Sequence, residues 1–165
     1  MTATRDEQTG LGRLLGTVGE AMTREVVLLA ADMPAELGLR RLDNEAISGA
    51  PVVDHGRVVG VVTRRDLIVP SLPDNPTGSE VALGQHRDRL GGLLVRDLMS
   101  GEPVTAGPDW TVARAVRTMI DSGVNRVPVV DAAGHPLGIL TRDDVLRAVA
   151  RCDQESPEPA PEGRA

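Results

Sequence analysis

Residues 125–146 decide the fold, and they read NRVPVVDAAGHPLGILTRDDVL. Two apolar runs, Val127–Val130 and Leu137–Leu140, flank a polar turn that contains Gly134. Aliphatic and β-branched runs separated by a Gly-containing turn are typical of a β-hairpin. Thr141 follows the second run and Asp144 stands three residues later, a spacing that predicts the start of a helix.

The same pattern occurs once more, in residues 48–68, which read SGAPVVDHGRVVGVVTRRDLI. The period is 77 residues, because Val18 matches Val95 and Pro51 matches Pro128 without a gap. One extra residue in the second turn then shifts Thr63 onto Thr141 and Asp66 onto Asp144. Two copies indicate a pair that buries a shared face and not an open-ended solenoid.

The repeat divides the chain into five segments. These are an N-terminal segment (1–17), a first repeat (18–70), a Pro-rich linker (71–94), a second repeat (95–151) and an acidic, Pro-rich tail (152–165) that we expect to be disordered. Apolar runs predict strands at 26–29 and 103–105. Helices are predicted from Asp32, as N-cap, to about residue 46, from Asp109 to about residue 122, and from Arg142 to about residue 152.

Composition excludes several classes of function. All 18 basic residues are Arg, so Schiff-base lysines and P-loop lysines are excluded. A net charge of −6 argues against a nucleic-acid partner. The single cysteine, Cys152, forms no intrachain disulfide, and no apolar stretch resembles a signal peptide or a membrane span. A cytoplasmic location is the expectation, and the Arg-only usage hints at a GC-rich bacterial genome.

In motif order, each copy resembles a cystathionine-β-synthase (CBS) domain, and the pair resembles a stand-alone Bateman module. The motifs are Val-x-x-x-Met at Val18 and Val95, Pro-Val-Val-Asp before a Gly turn, and Gly-x-x-Thr-x-x-Asp. The resemblance covers residues 18–151. It implies an α/β (α+β) fold of two pseudo-twofold-related repeats, each strand-helix-strand-strand-helix, packed through their sheets.

The resemblance also implies two clefts between the repeats, in which relatives commonly bind adenine nucleotides or related adenosyl ligands. Asp of Thr-x-x-Asp would accept from the ribose hydroxyls, and Thr with the neighbouring Arg would meet phosphate. The first cleft would use Val61, Thr63, Arg64, Asp66, Thr105, Val124 and Asn125. The second cleft would use Leu28, Ile47, Ser48, Ile139, Thr141, Arg142 and Asp144.

Elementary chemistry supports these assignments but leaves an alternative open. A carboxylate suits a vicinal diol, a helix N-terminus suits a phosphate, and an aliphatic slot suits an adenine face. Thr-x-x-Asp is also a capping box, in which the acid bonds back to its own helix start. Thr105 gives the first cleft an extra hydroxyl where the second has Leu28, so the first ligand is placed there. Trp110 either borders the base or packs in the core.

Two functions follow as hypotheses. The leading one is a sensor that binds AMP, ADP, ATP or S-adenosylmethionine and signals its occupancy to a protein effector, with no required cofactor. The alternative is a ligand-free interaction module that forms a homodimer through the helical faces at 112–120 and 145–149. No Ser-His-Asp set, paired catalytic acids or metal-ligand spacing is present, so we expect no enzyme and no metal site.

Overall fold

In this computed structural model of the protein, the described residues are 15–68 and 92–155, with side chains described as far as residue 151. They form helices and short strands in two similar series. The series are α1 (Val18–Ala21), β1 (Leu29–Ala30), α2 (Ala35–Asn44), β2 (Gly49–Asp54), β3 (Arg57–Thr63) and α3 (Arg64–Ile68), then α4 (Val95–Leu98), β4 (Ser100–Gly101), α5 (Val112–Asp121), β5 (Arg126–Val130), β6 (Pro136–Thr141) and α6 (Arg142–Glu155).

Both predicted hairpins are confirmed. Strands β2 and β3 pair antiparallel with Pro51 opposite Val61, and β5 and β6 pair with Pro128 opposite Ile139. Each pairing shifts by one residue near the turn, a β-bulge at the same place in the two repeats. Each hairpin has a proline on its first strand, and Pro128 O accepts from the Ala106 amide at 3.0 Å.

Each hairpin also receives backbone from the start of the other repeat. Strand β4, which belongs to the second repeat by sequence, pairs with β3 of the first, with Ser100 opposite Val61. Correspondingly, Thr23 of the first repeat forms an isolated bridge with Ile139 of β6. The strand after each of these segments returns to its own repeat, since β1 runs parallel to β2 and Ala106 bridges Val129 in parallel. The two repeats are therefore interlocked through their N-terminal segments.

The hydrophobic cores show the same exchange. Val18 of α1 is fully buried in the core of the second repeat, together with Ala115 and Leu140. Val95 of α4 is fully buried in the core of the first repeat, together with Leu42. Burial of such aliphatic side chains is the main stabilising term in a chain with one aromatic residue. Neither repeat has a complete core without the short helix of its partner.

Helix starts differ from the sequence-based prediction. Asp32 was predicted as the N-cap of α2, and this is wrong, because α2 begins at Ala35 without a side-chain cap. The Ala35 amide donates to Leu93 O at 2.9 Å and the Val95 amide donates to Met33 O at 2.9 Å, so the chain before α2 is held extended against the segment before α4. Similarly, α5 begins at Val112, where Thr111 Oγ1 accepts from the Arg114 amide at 3.2 Å.

Two predicted strands are also wrong in position. Of the run at 26–29 only Leu29 lies in a strand, and residues 103–105 lie in none. Val26 and Val27, like Pro103 and Val104, form cavity walls between the repeats, which explains why these apolar residues need no strand partner. Helix α6 continues to Glu155, three residues beyond the predicted Cys152, since the first proline after it is Pro157. The predictions for residues 1–14, for the linker from 69 to 91 and for 156–165 lie outside the described residues.

Candidate functional site

A cavity of about 390 Å³ lies where the two repeats meet on the side of β3, at the position of the first cleft. Four of its predicted residues line it, namely Val61, Thr63, Val124 and Asn125. The walls also include residues 100–104, which enter from the segment that follows α4. Thr105, Arg64 and Asp66 stand outside this lining. The cavity is mainly apolar with a few polar groups, the usual character of a small-molecule site.

A second cavity of about 450 Å³ lies on the opposite, β6 side, at the position of the second cleft. Its lining includes Ile47, Ser48, Ile139, Thr141 and Arg142, as predicted. Leu28 and Asp144 do not line it. Several residues assigned to each cleft thus line a cavity between the repeats, while the acid of each Thr-x-x-Asp motif lies outside the lining, behind its threonine.

Asp66 closes a capping box at the start of α3. Its Oδ2 accepts from the Thr63 amide at 2.8 Å and from Thr63 Oγ1 at 2.6 Å. This is the arrangement expected of an acid at the third helical position, and it stabilises the helix start. Within residues 15–68 and 92–155, Asp66 Oδ1 has no hydrogen-bond partner. Asp66 is half-buried and lies outside the lining, next to Thr63, which lines the first cleft.

Asp144 makes the same capping box but has no comparable spare oxygen. Its Oδ2 accepts from the Thr141 amide at 2.8 Å and from Thr141 Oγ1 at 2.6 Å. Its Oδ1 accepts from Thr23 Oγ1 at 3.1 Å and from Arg147 Nη1 at 2.8 Å. Only 3% of its surface is exposed, and a buried carboxylate needs such partners. The two acids hold equivalent positions in the repeats but differ in exposure and in the number of hydrogen bonds that they accept.

Arg126 is the functional candidate that sequence reasoning missed. Its side chain lines both cavities and is half-buried between the repeats. The guanidinium donates to Gly49 O at 2.8 Å and to Ser48 Oγ at 2.7 Å. Desolvation lowers the pKa of Arg126, and the charge of Asp66 opposes that shift. An arginine is still charged after such a shift, so Arg126 places a cation in the wall that the clefts share.

A signal for Arg126 was present in the repeat itself. Arg126 lies 77 residues after Gly49, so the second repeat has a charged residue at the position where the first repeat has a glycine. A Cβ on Gly49 would lie 2.8 Å from Arg126 Nη1 and 2.7 Å from Val62 O, which leaves no room for a side chain. The pair is thus complementary across the pseudo-twofold relation, with the glycine making space for the guanidinium.

The two arginines of the Thr-Arg motifs differ in placement. Arg142 lines the second cleft and donates from Nη2 to Asn125 Oδ1 of the same repeat. Arg64 turns toward the end of α2, where its Nε lies 3.0 Å from Asp43 Oδ1. Its Nη2 is 3.4 Å from Ile47 O. Arg64 is therefore engaged with its own repeat, and Arg126 is the cation that reaches the first cleft.

Trp110 lines neither cleft. It packs against the core of the second repeat, and the Arg114 guanidinium lies 3.6 Å from the centroid of its ring. This is a cation–π contact that covers the outer face of the indole. Of the two roles predicted for Trp110, bordering a ligand base or packing in the core, the structure shows packing.

The part of the chain that the structure describes carries neither a metal-binding cluster nor a membrane-spanning helix. No group of three or more His, Cys, Asp or Glu side chains is placed to hold a metal ion there. Among the same residues, no helix is long and apolar enough to cross a membrane. His55 and His135 lie in the hairpin turns, where the ring of His135 contacts Asp131 Oδ2 at 2.9 Å. That contact, with the His135 and Ala133 amides, lowers the pKa of Asp131.

Comparison with known proteins gives the family. Residues 18–69 and 95–151 match the family model described as CBS domain. Among solved structures, the CBS-pair protein CBSX2 from Arabidopsis thaliana superposes with a TM-score of 0.76 at 28% identity, over 86% of this chain and 99% of that chain. A second structure, of CBSX2 in complex with AMP, gives a TM-score of 0.69 at 29% identity, over 84% of this chain and 98% of that chain.

Sequence relatives include larger proteins. An inosine-5'-monophosphate dehydrogenase of Korarchaeum cryptofilum is 29% identical over 86% of this chain, but the match spans only 26% of that enzyme. The uncharacterized protein MJ1426 of Methanocaldococcus jannaschii is 31% identical, over 67% of this chain and 78% of its own length. The match to a dehydrogenase covers a quarter of that protein and carries no catalytic role to this chain.

Proposed function

We propose that this chain, which belongs to the CBS domain family, is a regulatory module that binds an adenosyl ligand in its first cleft and signals occupancy to a protein partner. The observation that carries the proposal is Asp66 Oδ1, which accepts no hydrogen bond from the described residues, whereas both oxygens of the equivalent acid, 78 residues later, are occupied. A carboxylate oxygen without a hydrogen-bond partner is a strong acceptor for the hydroxyls of a ribose.

The walls of the first cleft suit the rest of such a ligand. Val61 and Val124 come from opposite repeats and offer apolar faces for a purine. Asn125 and Arg126 offer polar donors on the side where the repeats meet, and an arginine recognises phosphate through its planar set of N–H groups. Thr63 directly precedes α3, and its hydroxyl donates to Asp66 Oδ2.

Charge limits the number of phosphates that this cleft favours. Arg126 is the cation in the lining, it already donates to Gly49 O and Ser48 Oγ, and Glu102 is an acid in the same lining. A ligand with several phosphates would face this acid with one partly engaged guanidinium. We therefore favour AMP or S-adenosylmethionine over ATP. CBSX2, at 29% identity, is in complex with AMP, and the cytosolic domain of the Mg2+ channel MgtE, at 33% identity, is in complex with ATP, so the charge of the lining is what decides our choice.

The sensor role follows from the way the cleft is built. Its lining takes Val61 and Thr63 from the first repeat and residues 100–104 and 123–126 from the second. A ligand that contacts both sets binds best to one relative arrangement of the repeats, so binding shifts the population of arrangements. The readout is then a surface whose geometry depends on both repeats, and the role is regulatory and not catalytic.

A homodimer is the second proposal, and one exposed patch supports it. Ile120 of α5 is 73% exposed, and Leu146 and Val149 of α6 are 62% and 48% exposed. Ile120, Val116 and Val145 also line a groove of about 320 Å³ between the two helices. A contiguous apolar patch on a surface is a feature of protein interfaces. The face lies within the helical segments predicted for dimerisation, 112–120 and 145–149.

Thermal unfolding with ligands tests the sensor proposal directly. We expect millimolar AMP or S-adenosylmethionine to raise the Tm, by roughly 5–10 °C if the ligand stands at about 100 times its Kd, since this adds about 2.7 kcal/mol of stability. Asp66→Asn should remove most of the shift. Asp97→Asn is the matched control, because Asp97 caps α4 through the Leu94 amide at 2.8 Å and lines neither cleft.

The possible outcomes separate the two functions. A ligand-dependent shift that survives Asp97→Asn and vanishes in Asp66→Asn supports the sensor and identifies the cleft. A Tm that no adenosyl ligand raises would contradict it and leave the interaction module. A shift equally reduced in both variants would mean that helix capping, and not ribose binding, is what Asp66 provides.

A further inference from the structure

The two acids of the Thr-x-x-Asp motifs occupy equivalent positions and perform different tasks. Asp66 is half-buried and uses one oxygen for its capping box. Asp144 is 3% exposed and uses both oxygens, one for its capping box and the other for Thr23 and Arg147. The capping box is therefore common to both repeats, and the contacts of Asp144 Oδ1 are the difference that needs an explanation.

Thr23 is held in place by the backbone. Its amide donates to Ile139 O at 3.0 Å and its carbonyl accepts from the Ile139 amide at 2.9 Å, which fixes it beside β6. From there its hydroxyl donates to Asp144 Oδ1 at 3.1 Å. The contact joins residues 121 positions apart and crosses from the N-terminal segment of the first repeat to α6 of the second. It is a side-chain tie between the repeats.

The equivalent tie is missing on the side of Asp66. The residue that matches Thr23 is Ser100, which pairs with Val61 through the backbone, and the described residues show no hydrogen bond from it to Asp66. The residue that matches Arg147 is Val69, whose side chain carries no donor. Both partners of Asp144 Oδ1 are therefore particular to the second cleft.

We propose that Asp144 is a structural acid, locked by Thr23 and Arg147, and that the protein consequently has one ribose-binding cleft per chain, that of Asp66. This rests on the proposed function for the first cleft. A ribose in the second cleft would have to displace two donors from a buried carboxylate and leave the Arg147 contact unmade. Thr23 and Arg147 act as specificity-determining residues that exclude ribosyl ligands from the larger cavity.

Calorimetric titration with AMP tests the binding half of the proposal. The expected stoichiometry is one AMP per chain, with a Kd changed less than about threefold by Asp144→Asn and raised at least tenfold by Asp66→Asn. Two AMP molecules per chain, with one of them lost in Asp144→Asn, would overturn the single-site proposal. So would loss of binding in Asp144→Asn with binding retained in Asp66→Asn.

A measurement without ligand tests the lock itself. We expect Asp144→Asn to lower the Tm by several degrees more than Asp66→Asn, because a partnered buried charge is lost. Thr23→Val is a milder variant, and it should lower the Tm of the wild-type protein but add little in the Asp144→Asn background. Additive losses would overturn the lock. If no adenosyl ligand binds, the proposed function fails while this double-mutant cycle still decides the role of Asp144.

Discussion

Replacement of Val18 by alanine tests the exchange of short helices between the repeats. Val18 belongs to the first repeat by its position in the period, yet it is fully buried in the core of the second, against Ala115 and Leu140. The substitution removes two methyl groups from a packed site and preserves the helix, since alanine is a good helix former. The exchange therefore predicts that the damage appears in the other repeat.

The size of the effect follows from burial. Two buried methyl-sized groups contribute about 1.6 kcal/mol at about 0.8 kcal/mol each, and the residual cavity adds up to about 1 kcal/mol. A loss of about 1.6–2.6 kcal/mol lowers the Tm of a chain of this length by roughly 3–10 °C. Leu37→Ala is the control, because Leu37 is 49% exposed on α2 and should cost far less.

Methyl and amide NMR spectra locate the change. Val18→Ala should shift the resonances of Val127, Val129 and Leu140, which pack in the same core. The reciprocal Val95→Ala should instead shift Val52 and Leu67 of the first repeat. Spectra in which Val18→Ala perturbs mainly Val52 and Leu67 would refute the exchange of helices. A Tm shift no larger than that of Leu37→Ala would refute the stated burial.

Two further predictions concern the shared wall and the exposed patch. Gly49→Ala should lower both the Tm and the AMP affinity, because its Cβ would meet Val62 O at 2.7 Å and displace Arg126. Thermal melting and calorimetry measure the two effects. A variant that binds AMP and melts like the wild type would show that the glycine is dispensable. Ile120→Glu should shift the protein from dimer to monomer in light scattering, because it puts a charge into the proposed apolar interface. Leu137→Glu on β6 is the control and should leave the mass unchanged. Equal masses for both variants would contradict a dimer interface at Ile120.

Local features of the fold were predictable because they depend on neighbours in sequence. The hairpins follow from alternating apolar runs and a Gly turn, and both occur with the same bulge. The capping boxes follow from Thr and Asp three residues apart. The family resemblance supplied the rest of the architecture, which the CBS domain match confirms.

Features that depend on contacts between repeats were not predictable from the same patterns. A period of 77 residues assigns Val95 to the second repeat, and nothing in it shows that α4 packs on the first. Gly38 lies inside α2, where a Cβ would be 3.0 Å from Val95 Cγ2, so the glycine makes room for the exchanged helix. The N-cap at Asp32 failed for the same reason, since pairing with residues 93–95 sets the start of α2.

The site shows the same division. Val61 and Thr63 line one cavity, Ile139 and Thr141 line the other, and their role in ligand binding stays a prediction. Whether the acid of a Thr-x-x-Asp motif has an oxygen without a partner depends on distant residues. The Thr23 hydroxyl, for example, donates to Asp144 from 121 positions away, and such a contact leaves no local sequence pattern. Arg126 was not predicted as a site residue, because a charged residue at the end of an apolar strand is usually solvated. Here hydrogen bonds to Gly49 O and Ser48 Oγ hold its guanidinium between the repeats.

Under the proposed function, the unequal contacts of the two acids give occupancy a structural effect. On the β6 side, the Thr23 hydroxyl donates to Asp144 and ties the first repeat to the second. On the β3 side, β3 pairs with β4 through the backbone, Arg126 donates to Gly49 O and Ser48 Oγ in the shared wall, and Asp66 Oδ1 accepts no hydrogen bond among the described residues. A ligand that bonds Asp66 and contacts residues 100–104 supplies the missing tie. Because one side is fixed and the other depends on ligand, the expected motion is a hinge about the Asp144 side, which shifts population when the first cleft fills.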